Sequence, residues 1–420
     1  MLNLINPAHT RQTNNLPLYI PPLINPIRTV ATNNKIFSGA ETRGTKNRQA
    51  SRWAYQIGTD ASTLTVQFRG KYSKSSGEIN LNDFKIVEAI IEANGTFQPV
   101  TWNSNRTKTI TATDDNILCD EIPASAFGLE KFTKGTTVYF KGIIEDNGSL
   151  GGLPYTQFKT AYFTGQQSFF YDTATTTASA TDVTGPYTFT GATDNRSQGC
   201  MPILLGRPLI DGVSCIGYGD SIMDENNDSG NTYPHHGIGF FNRAMHDGTG
   251  NALYPAINTA RSGSSTEDIG QTEIELAKYA RYAIDEMGTN DLGTINNLES
   301  FWQSIRDKGI EKIISCKLIC RTTSTDNYLT EANQAYRDGW GIGEEKRLFN
   351  DYLETSLSTG KIDYLLEGNE LTAAAHGGDR YKWRVDGVTN KKYNNDDVHP
   401  NTLGQEIKAT PLRALIATLS

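Results

Sequence analysis

No apolar run in the 420-residue chain approaches the roughly 20 residues that a membrane-crossing helix needs; the longest are strand-length. The N-terminal MLNLINPAHT has no basic region followed by an apolar core, so no secretory signal peptide is expected there. Cysteine is scarce. The five residues, Cys119, Cys200, Cys215, Cys316 and Cys320, are scattered, odd in number and match no zinc spacing. Cys215 and Cys316 stand in apolar runs and are expected as buried thiols. There is no surplus of positive charge: 39 Lys and Arg face 47 Asp and Glu, and the net charge of −8 is spread along the chain. That balance argues against nucleic acid as a partner and predicts simple solubility. Six histidines are present. The adjacent pair His235-His236 has no matching ligand set, so a plain loop or helix start is expected, with no metal and no cofactor. Gly-x-Ser-x-Gly occurs nowhere, which removes the nucleophile elbow of the α/β-hydrolases.

What the chain does have is organised in blocks. Residues 1–30 hold five of the fifteen prolines, and LPLYIPPLINPIRTV is apolar yet proline-broken. It cannot be a helix and reads as an extended arm. Residues 31–172 alternate like half-buried strands in RWAYQI, STLTVQFRG, FKIVEAIIEAN, TVYFKGIIEDN and TQFKTAYFTG, separated by Gly, Asn and Asp. This predicts an antiparallel β-sandwich for binding or anchoring. Residues 173–204 begin with the low-complexity TATTTASATDVT and are expected as a linker. From 205 to 420 apolar strands alternate with helical stretches. VSCIGYG, LYPAINTA, ARYAIDEMG, IEKIISCKLIC and KIDYLLE are the strands. QTEIELAKYA, NLESFWQSIRDKG, EEKRLFNDYLETSLS and TLGQEIKATPLRALIATL are the helices. Such alternation predicts an α/β domain with a parallel sheet, helices on both faces and a site at the carboxyl ends of the strands.

Chemistry-bearing residues fall at those ends. Ser221, in GYGDSIMDEN, directly follows the first strand. By itself Gly-Asp-Ser is as good a turn as a nucleophile. Only His399 among the histidines has an aspartate three residues earlier, Asp396, in NNDDVHPN. A tight loop with this spacing can fold the carboxylate back onto the imidazole, fixing its tautomer and supporting its cation. Asp397 is the rival acid, and a surface turn capping the last helix is the plain alternative. After the second strand comes Arg261-Ser262-Gly263-Ser264, and after the third Gly288-Thr289-Asn290-Asp291. The Ser221 and Gly263 amides and the Asn290 side chain can supply three donors to an oxyanion.

Four short blocks in this order resemble those of the GDSL-type esterases, the SGNH hydrolases. They are Gly219-Asp220-Ser221-Ile222, with Ile where Leu is usual; Asn258 to Gly263; Gly288-Thr289-Asn290-Asp291; and Asp396-Asp397-Val398-His399-Pro400. The resemblance covers about residues 205–420. It implies a flavodoxin-like three-layer α/β/α SGNH hydrolase domain that cleaves an ester, often an acetyl ester on a sugar. Ser221, His399 and Asp396 are then the triad, and Ser221, Gly263 and Asn290 the oxyanion hole.

The expected function is therefore a serine esterase removing acyl groups, O-acetyl above all, from an acetylated poly- or oligosaccharide. The 367–395 stretch is long for this position. It carries His376, Arg380, Tyr381, Trp383 and Arg384, and the last four, with Arg261, are expected to contact substrate; a surface excursion is the alternative. Two rivals stay open: a lipase- or thioesterase-like hydrolase of free acyl esters, and a phage virion or adhesin protein that carries an esterase domain. The apolar arm needs burial, either docked on the chain's own domains across an interdomain seam or against a partner in an oligomer or virion assembly. Action outside the cell, as a secreted protein or part of a phage particle, fits these readings. Residues 1–200 hold no catalytic candidate, so they are expected to target or anchor rather than react.

Overall fold

The computed structural model describes residues 25–41, 44–147, 152–157, 165–174, 181–189, 198–228, 238–291, 295–341 and 343–419. The fold mixes sheet and helix, with 34% of residues in strands and 20% in helices.

In the N-terminal half two antiparallel sheets enclose one apolar core. The first runs Lys108–Ile110, Phe84–Ala93, Thr137–Asp146, Arg48–Gln56 and Gln167–Tyr171, with Thr96–Pro99 folded back on Phe84–Ala93. The second runs Arg28–Thr29, Ile203–Pro208, Ala61–Phe68 and Ile117–Leu118, with Ile122–Pro123 also on Ala61–Phe68. The period-2 pattern explains the pairing. Trp53, Tyr55, Phe84, Ile86 and Phe140 from one sheet meet Leu64, Val66, Phe68 and Leu204 from the other. Phe68 stands edge-on to Phe140 with ring centroids 5.9 Å apart, a favourable aromatic geometry. Most of the expected strand TQFKTAYFTG lies outside the described residues, as does most of the proline-rich arm.

The C-terminal half is built on a six-stranded, all-parallel sheet in the order Asn34–Lys35, Ala256–Asn258, Cys215–Gly219, Tyr282–Glu286, Lys312–Cys316, Tyr364–Leu366. Its five C-terminal strands are the five read from the sequence. Cys215–Gly219 and Tyr282–Glu286 are buried throughout, as strands covered on both faces must be. Alternate residues serve alternate faces. Cys215, Ile284 and Ile314 pack with Leu412 and Ile416 of the C-terminal helix Thr402–Ala417. Ile216, Ala283 and Ile313 pack with Leu298 and Trp302 of Ile295–Asp307 and with Phe349 and Leu353 of Glu345–Ser358. All five cysteines are buried and free.

The expected boundaries near residues 30 and 205 do not follow the hydrogen bonding. Ile203–Pro208 straddles the second boundary, yet pairs with Ala61–Phe68 in an N-terminal sheet. Gln198–Gly199, expected as linker, pairs with Leu153–Gln157. Arg28–Thr29, placed in the arm, pairs with Ile203–Pro208. Asn34–Lys35 crosses over to become the edge strand of the parallel sheet, beside Ala256–Asn258. Asn34 fastens this crossing. Its Oδ1 accepts from Leu204 N at 2.7 Å and its Nδ2 donates to Leu204 O at 3.0 Å. Backbone pairing of two residues is invisible to a composition-based boundary.

Candidate active site

The strand Cys215–Gly219 delivers Asp220 and Ser221 to its carboxyl end. The chain then turns back at once: Asp224 N donates to Asp220 O at 2.9 Å and Asn226 N to Ser221 O at 3.1 Å. Asp220 shapes the start of the turn by accepting from Ile222 N at 3.0 Å. Glycine is required beneath it. A Cβ on Gly219 would lie 2.6 Å from the Met223 Cβ that folds over the strand. Ser221 is left 7% exposed at this apex.

His399 arrives on the loop that precedes the C-terminal helix Thr402–Ala417. Asp396 organises its loop. One carboxylate oxygen accepts from His399 N at 2.7 Å and Val398 N at 2.9 Å. The other lies 2.8 Å from His399 Nδ1 and also accepts from Asn227 Nδ2 at 2.9 Å. The opposite ring nitrogen, Nε2, is 2.9 Å from Ser221 Oγ. Partial burial pushes the Asp396 carboxyl up, but the hydrogen bonds from the His399 ring and from the His399 and Val398 amides outweigh it and hold the group well below the usual carboxylate range. An ionised Asp396 only accepts, so Nδ1 carries the proton and Nε2 presents a lone pair to Ser221. The rival acid is occupied elsewhere: Asp397 Oδ2 pairs with Arg337 Nε at 3.0 Å and Arg321 Nε at 3.7 Å.

Two backbone N–H groups at this apex, those of Ser221 and Gly263, have no hydrogen-bond acceptor among the described residues. Gly263 has φ +80°, a left-handed conformation that suits glycine. Asn290 donates one Nδ2 hydrogen to Ser264 O at 2.9 Å, is otherwise exposed, and keeps its second Nδ2 hydrogen.

The structure separates the expected substrate contacts. Trp383 is fully buried, and its Nε1 donates to Asp397 O at 3.2 Å; the indole braces the His399 loop from within and offers no face to a sugar. Tyr381 is buried too, 5.2 Å below the Lys346 ammonium. Arg261 is 6% exposed and is spent on protein partners, the carbonyls of Lys74 and Asp268 and the carboxylate of Glu273. Long amphipathic side chains in a loop look alike in sequence whether they face solvent or core. Arg380 is half exposed and loosely paired with Glu367 at 3.9 Å. Arg384 does border open space. With His376, Glu331, Asp386 and Tyr393 it lines a cavity of 630 Å³, and its Nε donates to His376 Nε2 at 2.8 Å. His235 and His236 lie outside the described residues; no cluster of metal-ligating side chains occurs among those described.

Several supporting residues escaped the sequence reading. Asp224 accepts from Ser262 N at 2.9 Å and Ser262 Oγ at 2.6 Å, joining the Ser221 turn to the Gly263 loop. Lys35 pairs with Asp224 at 2.8 Å. Gln405 links the helix after His399 to Ile222 and Phe240. Beneath the turn, burial first and then neighbouring Glu286 push Asp220 up to about 8, while Glu286 pairs with Lys408 at 2.7 Å. Each of these partners is remote in sequence, and no local motif announces them. Comparison with protein-family models and with curated proteins finds no match for this chain.

Proposed function

We propose that the chain is a serine esterase of the SGNH type that removes acyl groups, O-acetyl above all, from a carbohydrate. The observation that carries this reading is the continuous relay from Asp396 through His399 to Ser221, at 2.8 and 2.9 Å, beside the unpaired Ser221 and Gly263 amides. The parallel strand order also supports it. Numbered from Cys215–Gly219, the five C-terminal strands run 2-1-3-4-5, the flavodoxin-like order, with Ser221 at a carboxyl end beside the switch point.

Ser221 Oγ attacks the ester carbonyl carbon as His399 Nε2 takes its proton. Asp396, ionised and fixed by two backbone amides, supports the imidazolium. The carbonyl oxygen becomes an oxyanion and takes hydrogen bonds from Ser221 N, Gly263 N and Asn290 Nδ2. The tetrahedral intermediate collapses; the C–O bond to the alcohol breaks, and His399 returns its proton to the leaving alkoxide. Water, deprotonated by the same imidazole, then attacks the acyl-Ser221 ester; the acyl C–Oγ bond breaks, His399 returns the proton to Ser221 Oγ, and the carboxylic acid leaves.

A carbohydrate as the alcohol rests on the resemblance of the four sequence blocks. The 630 Å³ cavity bordered by Glu331, His376, Arg384 and Asp386 has none of Ser221, Gly263, Asn290 or His399 in its lining, so it does not bear on the choice. The test is acetate release from a panel of acetylated polysaccharides, with p-nitrophenyl acetate as a small substrate and Ser221→Ala as control. Activity in the wild type that vanishes in the variant supports the reading. Equal activity in a folded Ser221→Ala protein overturns it.

A further inference from the structure

We infer that the hairpin formed by Lys71–Lys74 and Gly77–Asn80, in the half of the chain without catalytic residues, is a positioning element that clamps the 261–264 loop of the active site; the inference rests on the esterase reading above for its catalytic consequence. The two strands pair from Lys71 with Asn80 to Lys74 with Gly77, leaving Ser75 and Ser76 at the tip. That tip reaches Gly263: a Cβ built on Gly263 would stand 3.2 Å from Ser75 Cβ. Arg261 makes the grip. Its backbone N donates to Gly219 O at 3.1 Å, at the end of the nucleophile strand. Its guanidinium donates to Lys74 O on the hairpin, to Asp268 O at 2.9 Å and to Glu273 at 3.1 Å.

The hairpin is itself locked to the catalytic half through its return strand, where Glu78 pairs with Ser73. Glu78 accepts from Thr272 Oγ1 and from Glu273 N, the latter at 3.2 Å. Arg69, just before the hairpin and fully buried, donates to Thr272 Oγ1 at 3.3 Å. Arg69 and Arg261 thus alternate with Glu78 and Glu273 in one enclosed network. The second N-terminal support comes from the crossing strand, where Lys35 pairs with Asp224 and Asp224 holds both polar groups of Ser262.

The loop needs this help. Within itself it makes one hydrogen bond, Ser264 N to Arg261 O at 3.2 Å, around a left-handed glycine. An oxyanion donor contributes only when its N–H is already aimed, because a loose donor must be ordered during the reaction. The hairpin, Arg261 and Ser262 remove that freedom on both sides of Gly263.

The test replaces residues 73–78 in the full chain by Asn-Gly, a two-residue hairpin turn. Hydrogen exchange is read over residues 259–266, and kcat and KM are read on p-nitrophenyl acetate. We expect loop exchange to accelerate about tenfold or more, and kcat to fall about tenfold with KM nearly constant, the signature of a lost transition-state contact. Glu78→Ala is the milder variant, should the shortened chain not fold. It should shift both readouts the same way, and Glu78→Gln, which keeps the acceptor oxygen, should restore them. Unchanged loop exchange in either folded variant overturns the clamp. Exchange does not depend on turnover: a wild-type protein inactive on every ester would count against the esterase reading, while the clamp would still be decided by exchange.

Discussion

Gln405 Nε2 donates to Ile222 O at 3.1 Å, tying the helix that follows His399 to the turn that carries Ser221. The same side chain accepts from Phe240 N at 2.9 Å and is fully buried. One amide therefore ties the Ser221 turn to the helix behind His399. Gln405→Leu strands a buried acceptor and a buried donor, each costing about 1–3 kcal/mol. We expect a lower melting temperature and, in the protein that remains folded, a lower kcat. Thermal unfolding and steady-state rates on p-nitrophenyl acetate check both.

Asp396 and Asp397 adjoin in sequence but serve different partners. Asp396→Asn should lower kcat by about 10³- to 10⁴-fold, since the wrong imidazole tautomer is then favoured. Asp397→Asn leaves the relay intact and loses contacts to exposed Arg337 and part-exposed Arg321, so it should change kcat little. Comparable losses in the two variants would contradict the assignment of Asp396.

Asn290→Ala should cost about 10²- to 10³-fold in kcat, as one lost oxyanion donor does. KM should hold, because the donor acts mainly in the transition state. A rise in KM at constant kcat would instead make Asn290 a ground-state contact. Melting temperature serves as the control, since the bond to Ser264 O is lost as well.

Asp220 gives a pH dependence of stability with a definite sign. Burial and Glu286 raise its folded-state value from 3.8 to about 8. The folded state then holds a proton that the unfolded chain has released. The stability this provides is complete below about pH 4 and is lost as pH rises towards 8. Asp220→Asn keeps the acceptor for Ile222 N and removes the titration. The melting temperature of the variant, relative to wild type, should therefore climb between pH 5 and pH 8. A difference that stays constant across this range would show that Asp220 does not titrate there.

A fragment beginning near residue 200 would lack the Asn34–Lys35 edge strand, the Lys35–Asp224 pair and the hairpin at residues 71–80. It would also expose the edge of Ile203–Pro208 that pairs with Ala61–Phe68. We expect it to aggregate or to be inactive. A soluble fragment with full activity on a small acetate would show that the N-terminal half is dispensable to the site.

The sequence alone made legible the five strands after residue 205, four of the helices and the order of the short blocks around Ser221, Gly263, Asn290 and His399. Those features are local: apolar period marks an element, and glycine, asparagine or aspartate marks its end. It also determined that Asp396 stands three residues before His399, close enough for one tight loop. Only the tertiary structure separated the contacts of Asp396 and Asp397: the first meets the His399 ring, while the second pairs with Arg337 and Arg321, which lie far away in the chain. Only it moved Trp383, Tyr381 and Arg261 from the substrate side to the interior, since burial is a property of the packed loop and not of the residue type. And only it showed that the halves interlock. Gln405 meets Ile222 across 183 positions, and Arg261 meets Lys74 across 187. Contacts at such separations leave no period and no motif; they exist because burying polar groups is costly unless each finds a partner, and folding brought these partners within reach.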